Sequence, residues 1–370
     1  MRLDGRRLIK FMKVLCFTDY LGAGGAQRQL VGLASMLHQR GIDVKVCYYH
    51  DIPFYDEYLD ERGVQHELIP SASSHIKRIS AVIKYFRQEK PDWVIAYQET
   101  PSLVATLAKL FGGSFHIIVS ERNTTQKLCF IDKIRFFLYR WADVIVPNCY
   151  TQGQFIKSHY PNLSYKINII TNFVDLKHFS YTKRQRKEIP VITVAATIWG
   201  QKNTLRFIEA IKLLKSRGVH FDVKWYGLLP KTTPYVEECQ RKINEYDLND
   251  VFHFLPKTKD IALAYRETDY FCLPSIYEGT PNVVCEAMSS GLPIICSNVC
   301  DNSLYVQEGI NGFLFDPLDS HNMAETITKM LSVSDEEYAS FCSNSRRLAE
   351  VLLSEDTFVE KYLAILNKPS

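Results

Sequence analysis

Residues Phe271–Ile295 read FCLPSIYEGTPNVVCEAMSSGLPII. An apolar run ends at Pro274-Ser275, two glutamates follow eight positions apart, Glu278 and Glu286, and a second apolar run begins at Pro293. Between the glutamates, Gly279, Thr280 and Pro281 open a helix. Thr280 is the expected N-cap, and Pro281 suits the first helical position, where its missing N–H costs nothing. The amides of Asn282 and Val283 then point out of the helix start at the positive end of its dipole, an anion site that fits a diphosphate. Glu286 falls four residues after Asn282, on the same face one turn behind, placed to accept hydrogen bonds from a vicinal diol such as a ribose. Glu278, on the loop ahead of the helix, faces the other end of a bound diphosphate. The stretch reads as strand, loop, helix and strand of a parallel α/β unit that holds a nucleotide-sugar lengthwise.

Working outward, 370 residues with ordinary apolar and charged content suggest two domains, each able to bury its own core. No run approaches the roughly 18 consecutive apolar residues of a membrane span. The basic N-terminus, MRLDGRRLIKF, lacks a small-residue cleavage site and is not read as a signal peptide, and Met12 is an alternative start. Ten cysteines are scattered, mostly in apolar runs such as those of Cys16, Cys47, Cys272 and Cys296. They read as buried thiols of a reducing cytoplasm, and no histidine group or paired aspartates complete a metal set. Residues 1–183 carry 24 Lys and Arg against 16 Asp and Glu, whereas the remainder carries 20 against 25. A basic first half and an acidic second half imply different partners for each.

Strand and helix patterns alternate along both halves, as in parallel sheets covered on both faces. In the first half the expected strands are 13–18, 44–49, 93–97, 116–120, 144–147 and 167–171, with helices at 27–39 and 76–88. In the second they are 191–196, 221–226, 251–254, 270–273, 293–297 and 312–315, with helices at 205–215 and 235–246. The Lys- and Arg-rich segment 172–190 reads as a linker, which gives domains of residues 1–180 and 190–355. Helices at 334–353 and 356–367 close the chain.

Other motifs sit at strand ends. Gly22-Ala23-Gly24-Gly25-Ala26-Gln27-Arg28 follows the first strand. A dinucleotide fingerprint would need glycine where Gln27 stands, which disfavours an oxidoreductase. The glycines serve either close ligand approach or a tight turn. Lys202, in TIWGQKN after the first strand of the second half, is either a phosphate cation that offsets leaving-group charge or a solvated lysine. Glu121, Arg122 and Asn123 follow the strand at 116–120 and are either ligand contacts or a buried ion pair. The segments 127–141 and 76–87 mix basic and aromatic residues. Both read as packed amphipathic helices or as a surface for an anionic membrane. No recognition motif for nucleic acid accompanies the charge.

Together these motifs resemble glycosyltransferase family 4, retaining enzymes of the GT-B fold with an E-x7-E signature, over about residues 13–367. The resemblance implies two Rossmann-like α/β domains facing across a cleft, an N-terminal acceptor-binding one and a C-terminal one for the nucleotide-sugar, with the helix at 356–367 packing back on the first. It implies transfer from a nucleoside-diphosphate sugar, UDP more than GDP, to a glycan or polyprenyl-diphosphate-linked acceptor, as in O-antigen or capsule assembly. The site would be cytoplasmic, peripheral at the inner face of the membrane. Glu278 and Lys202 would be catalytic. Gly24, Gly25, Gly279, Thr280, Pro281, Asn282, Val283 and Glu286 would bind the donor. Arg28, Glu121, Arg122 and Asn123 would meet the acceptor or the transferred sugar, and no metal or other cofactor is expected. Three positions depart from the family. Thr197 stands where an arginine is common, Leu229 replaces a glycine in YGLLP, and no histidine accompanies Ser120-Glu121-Arg122-Asn123. A sugar-nucleotide epimerase of the same fold and a non-catalytic nucleotide-sugar-binding protein are the alternatives.

Overall fold

The computed structural model describes residues 12–70, 74–258 and 260–368, so the readings on residues 1–11 lie outside the described residues. The chain forms two compact units. One takes the residues up to Asn172 together with those from Glu355 onward, and the other takes Phe173–Ser354. Among the described residues no helix is long and apolar enough to cross a membrane. All ten cysteines are free thiols, and burial pushes that of Cys16 up to about 12.

The first unit is built on six parallel strands: β1 (Lys13–Phe17), β2 (Asp43–Tyr48), β3 (Gln65–Leu68), β4 (Trp93–Tyr97), β5 (His116–Glu121) and β6 (Val144–Pro147). Their order is β3-β2-β1-β4-β5-β6. The central strands are buried along their length because helices cover both faces, which is why they read as unbroken apolar runs. Leu15, Phe17, Val94, Ala96, Ile117 and Val119 pack with Phe86, Phe136 and Tyr139 from flanking helices. Two expectations need correction. Residues 167–171 form no strand: they run beside β6, donating Asn168 N–H to Ile145 O and Ile170 N–H to Pro147 O, and reach only an isolated bridge. Conversely, β3 is an added strand, because the polar sequence QHEL sits on the exposed sheet edge and carries no apolar signal.

The second unit repeats the plan with β7 (Val191–Ala195), β8 (Asp222–Leu228), β9 (Phe252–Pro256), β10 (Tyr270–Leu273), β11 (Ile294–Ser297) and β12 (Gly312–Phe315), ordered β12-β11-β10-β7-β8-β9. Along β10, Tyr270 and Cys272 enter one core while Phe271 and Leu273 enter the other, the alternation a pleated strand imposes. The stretch read as a linker is bound to this unit. Arg184 donates to the carbonyls of Tyr265, Thr268 and Ser290. Arg186 donates to those of Leu331 and Val333 and pairs with Asp335. Its basic residues therefore satisfy helix and strand ends, and the division between units falls at its very start, Asn172/Phe173.

Candidate functional site

In the second sheet, β8 and β9 follow β7 on one side while β10, β11 and β12 extend the other. The loops after β7 and β10 therefore part in opposite directions, and their divergence opens a crevice at the carboxyl ends of the strands. Lys202 lies on the first loop and Glu278 on the second. Ile276 N–H donates to Gln201 O at 2.8 Å and Gln201 Nε2 to Tyr277 O at 2.9 Å, which ties the loops together. Asn203 takes a left-handed conformation (φ 59°) and turns the chain into the helix Thr204–Ser216. Lys202 Nζ lies 2.5 Å from Glu278 Oε1, with both side chains mostly buried.

The helix after β10 begins one residue later than expected. Pro281 is its N-cap, with no side-chain cap, and the helix spans Asn282–Ser289. Thr280 is not the cap and Pro281 is not the first helical residue. The physical reason is that the Pro281 carbonyl starts the ladder, accepting from Val284 N–H at 2.9 Å and Cys285 N–H at 3.1 Å. The amides of Asn282 and Val283 precede that ladder and stand at the positive end of the helix.

These groups line a cavity of about 380 Å3 that takes in Lys202, Glu278, Thr280, Pro281, Asn282 and Val283. That size suits a nucleotide-like ligand. Thr197, Tyr226, Gly227, Lys257 and Thr258 also line it. Lys257, just past β9, is a second cation among the lining residues, and its presence there follows from sheet order rather than from any local motif. Glu286 is 4% exposed one turn behind Asn282, and neither it nor Gly279 is among the lining residues. Gly227 has φ 154°, and a Cβ on it would sit 1.9 Å from Ala196 O, so only glycine fits between β7 and β8.

The first sheet has its own switch point, between β1 and β4. Gln27, 2% exposed, donates from Nε2 to Gln98 Oε1 at 3.1 Å and Asp19 Oδ1 at 3.3 Å. Gln98 holds φ 75° and ψ 168°, a region almost closed to side-chain-bearing residues, and such strain concentrates at functional sites. Burial raises the Asp19 carboxyl above its usual range, partly opposed by the Tyr20 amide and the Thr18 and Gln27 side chains. Asp19 and Gln98 escaped the sequence reading because only strand order brings them to Gln27. Gly24 caps the helix Gly25–Gln39, and a Cβ on it would meet Gln27 Oε1 at 2.2 Å. A larger residue at position 24 would thus have to displace the Gln27 side-chain tip from its cluster, while Gly25 opens the helix and Arg28 is half-buried on its first turn.

The residues after β5 separate into two kinds. Glu121 is fully buried and accepts from Tyr139 Oη at 2.5 Å, from Gln152 Nε2 at 3.2 Å and from Arg135 at 3.3 Å. Burial raises its pKa despite the Arg135 charge. This is the buried ion pair of the two readings, formed with Arg135 rather than with its neighbour. Arg122 lies 4.4 Å over the Tyr97 ring and donates to Ser120 Oγ and Asn172 Oδ1. Asn123 is exposed and donates to Glu99 Oε1 at 3.0 Å.

Known proteins share this architecture. Residues 23–178 match the model for Glycosyltransferase Family 4 and residues 178–348 that for Glycosyl transferases group 1. The chain is 25% identical to the UDP-Gal:alpha-D-GlcNAc-diphosphoundecaprenol alpha-1,3-galactosyltransferase of Escherichia coli over 352 residues, covering 87% of this chain and 88% of that enzyme. A glycosyltransferase structure from Rickettsia africae superposes with a TM-score of 0.83 at 15% identity, covering 96% of this chain and 98% of that one. HepE of Anabaena, crystallised with UDP, does so with a TM-score of 0.83 at 18% identity, covering 96% and 99%. Two parallel six-stranded sheets with flanking helices are thus the GT-B fold of those enzymes. With both halves of the chain matched by models of glycosyl transfer and a cavity that gathers Lys202, Glu278 and a helix start, the chain belongs to glycosyltransferase family 4.

Proposed function

We propose that this glycosyltransferase moves a sugar, with retention of anomeric configuration, from a UDP-sugar to a lipid-linked oligosaccharide in bacterial surface-polysaccharide assembly. The observation that carries the reading is the meeting of Lys202, Glu278 and the start of helix Asn282–Ser289 in one cavity. A lysine and helix amides suit a diphosphate, and a carboxylate suits sugar hydroxyls. The E. coli relative acts, by its name, from UDP-Gal on a diphosphoundecaprenol-linked GlcNAc, which supports both the donor and the acceptor class.

In this reading the bond from the sugar C1 to the diphosphate oxygen breaks while the acceptor oxygen bonds C1 from the same face. The acceptor proton passes to the departing diphosphate. Lys202 and the amides of Asn282 and Val283 stabilise the developing negative charge. Glu278 orients hydroxyls of the transferred sugar, and Glu286 holds the ribose from behind the helix start. The first unit binds the acceptor: there Arg28, Arg122 and Asn123 lie near strand ends and Asp19, Gln27 and Gln98 form a polar cluster. Because protein groups neutralise the leaving group, turnover is expected to persist in a metal chelator.

The test is nucleotide release from a panel of UDP- and GDP-sugars, with and without bacterial lipid extract, beside Glu286→Gln. Release from one donor, raised by the extract and reduced at least about 100-fold in the variant, supports the reading. Interconversion of the donor incubated alone would replace it with an epimerase. Tight donor binding without release from any donor would replace it with a binding protein.

A further inference from the structure

The two basic, aromatic segments of the first unit fold into helices that share one core but differ in how much apolar surface they leave outside. Helix His75–Glu89 turns Val82, Tyr85 and Phe86 into the core. Helix Phe130–Leu138 instead buries Arg135 and Phe136, with Tyr139 just beyond its end, and turns a run of apolar residues outward. Phe130 is 77% exposed, Ile131 65%, Ile134 40%, Phe137 49% and Trp141 41%. At 100° per residue, positions 130, 134 and 137 fall on one stripe, and Trp141, in the 3-10 turn that follows, extends it through its ring contact with Phe137, so the exposure is a continuous face and not a scatter. Its Phe137 and Trp141 rings meet at 5.7 Å.

Cations border that face. Lys127 and Lys133 are exposed, and the Arg140 guanidinium lies 4.5 Å over the Phe137 ring. Lys166 donates to the carbonyls of Arg140 and Ala142, which places the 80% exposed Tyr165 beside the same surface. Between residues 127 and 141 the only acid is Asp132. It accepts from the Cys129 amide and pairs with Arg135 on the inward side; burial alone would raise its carboxyl, but these partners outweigh it and hold the pKa below the usual carboxylate range. The outward face is therefore apolar in the middle and positive at its border.

We propose that the outward face of helix Phe130–Leu138, with Trp141 and Tyr165, docks on an anionic lipid surface. Rings settle at the depth of the headgroups, where their apolar bodies leave water and their polar edges stay hydrated. Lys127, Lys133, Arg140 and Lys166 neutralise lipid phosphates. Charge complementarity selects this occupant, since an apolar protein partner would leave four cations uncompensated. The inference rests on the lipid-linked acceptor proposed above, which resides in such a surface, and it narrows that reading to one helix.

The test uses the whole protein and sucrose-loaded vesicles of equal parts phosphatidylglycerol and phosphatidylcholine, beside vesicles of phosphatidylcholine alone. The wild type should sediment with the anionic vesicles at low salt and be released at high salt. Phe130→Ser with Trp141→Ser should lower the partition coefficient at least about tenfold. Lys133→Glu with Arg140→Glu should lower it by a similar factor and flatten the salt dependence. All these positions are solvent-facing, and matched thermal unfolding confirms an intact fold. Absence of wild-type binding, or equal binding by the aromatic variant, overturns the proposal. So does self-association of the wild type that the aromatic variant abolishes, which would give the face to a second copy. Turnover of detergent-dispersed acceptor separates this proposal from the transferase reading: the docking variants keep it, whereas a failed transferase reading leaves wild type and variants alike inactive.

Discussion

Lys202 and Glu278 are each assigned to a different part of a donor, yet the lysine ammonium and the glutamate carboxylate stand 2.5 Å apart. In the proposed reading a diphosphate competes with Glu278 for the N–H groups of Lys202, and hydroxyls of the transferred sugar offer the carboxylate donors in exchange. UDP alone lacks the transferred sugar and sets like charges near each other. Glu278→Gln should therefore bind UDP roughly five- to tenfold more tightly, the worth of about 1 kcal/mol for a partly exposed pair, while turnover falls at least about 100-fold. Titration calorimetry with UDP decides it, and weaker binding by the variant would sink the exchange argument. Gly227 supports a second residue-scale expectation. Its φ of 154° and the Ala196 carbonyl 1.9 Å from a would-be Cβ leave no room for alanine. Trp225 Nε1 also donates to that carbonyl, at 2.7 Å, so the obstacle is anchored backbone that does not swing away. Gly227→Ala should lose about 2–4 kcal/mol, measured by urea denaturation. An unchanged midpoint would show that β7 and β8 can part.

Among the elements, the junction of β5 and β6 hangs on Asp143. Its Oδ2 accepts from Ile117 N–H at 2.6 Å and from Lys109 Nζ of helix Glu99–Leu110. Burial alone would raise the carboxyl, but the Lys109 and Ile117 bonds outweigh it and the net shift is downward. A depressed native pKa contributes stability that is present above the unfolded value, about 3.9, and is lost as pH falls through the native one. Asp143→Asn should thus cost about 1–2 kcal/mol at pH 7, and the gap from wild type should narrow below about pH 4. Parallel urea titrations at neutral and acid pH check both magnitude and sign, and a gap that widens in acid would refute the assignment. Elements also differ in how far their sequences announce them. β1, β4 and β10 are buried on both faces, so unbroken apolar runs identify them. β3 is polar because it forms an edge, whereas the apolar 167–171 runs beside β6 without forming a ladder strand. The same distinction holds at the site. Glu278, Pro281, Asn282 and Glu286 lie within one loop and helix, so their spacing is readable. Gln98, Lys257 and the pairing of Lys202 with Glu278 depend on which strands become neighbours, and no local pattern encodes that.

At the scale of the whole molecule, the chain leaves its first unit at Asn172 and returns to it at Glu355, so that unit is completed by its last helix. Helix Glu355–Leu366 buries Phe358, Val359, Tyr362, Leu363, Ile365 and Leu366. Tyr362 Oη lies 2.8 Å from the hydroxyl of Tyr97, at the end of β4. Arg40 adds ion pairs to Asp356 and Glu360 at the rim. These contributions are unequal. Each buried side chain is worth about 1.5–3 kcal/mol, so six together rival the roughly 5–15 kcal/mol that holds a domain folded. The exposed pairs contribute about 1 kcal/mol or less. Arg40→Ala should accordingly shift the unfolding midpoint only slightly. A chain ending at Ser354 should lose the first unit, because Tyr97 would keep a buried hydroxyl without its partner and the core would open to water. The second unit, Phe173–Ser354, retains its sequence whole and should keep its own protection. Amide hydrogen exchange resolved by peptide separates these outcomes: in the truncated chain β1 and β4 should exchange at rates approaching those of an unfolded chain while β7 and β10 stay protected. Persistent protection of β1 and β4 would mean that the sheet and its other helices suffice, and that the last helix only covers a core already complete.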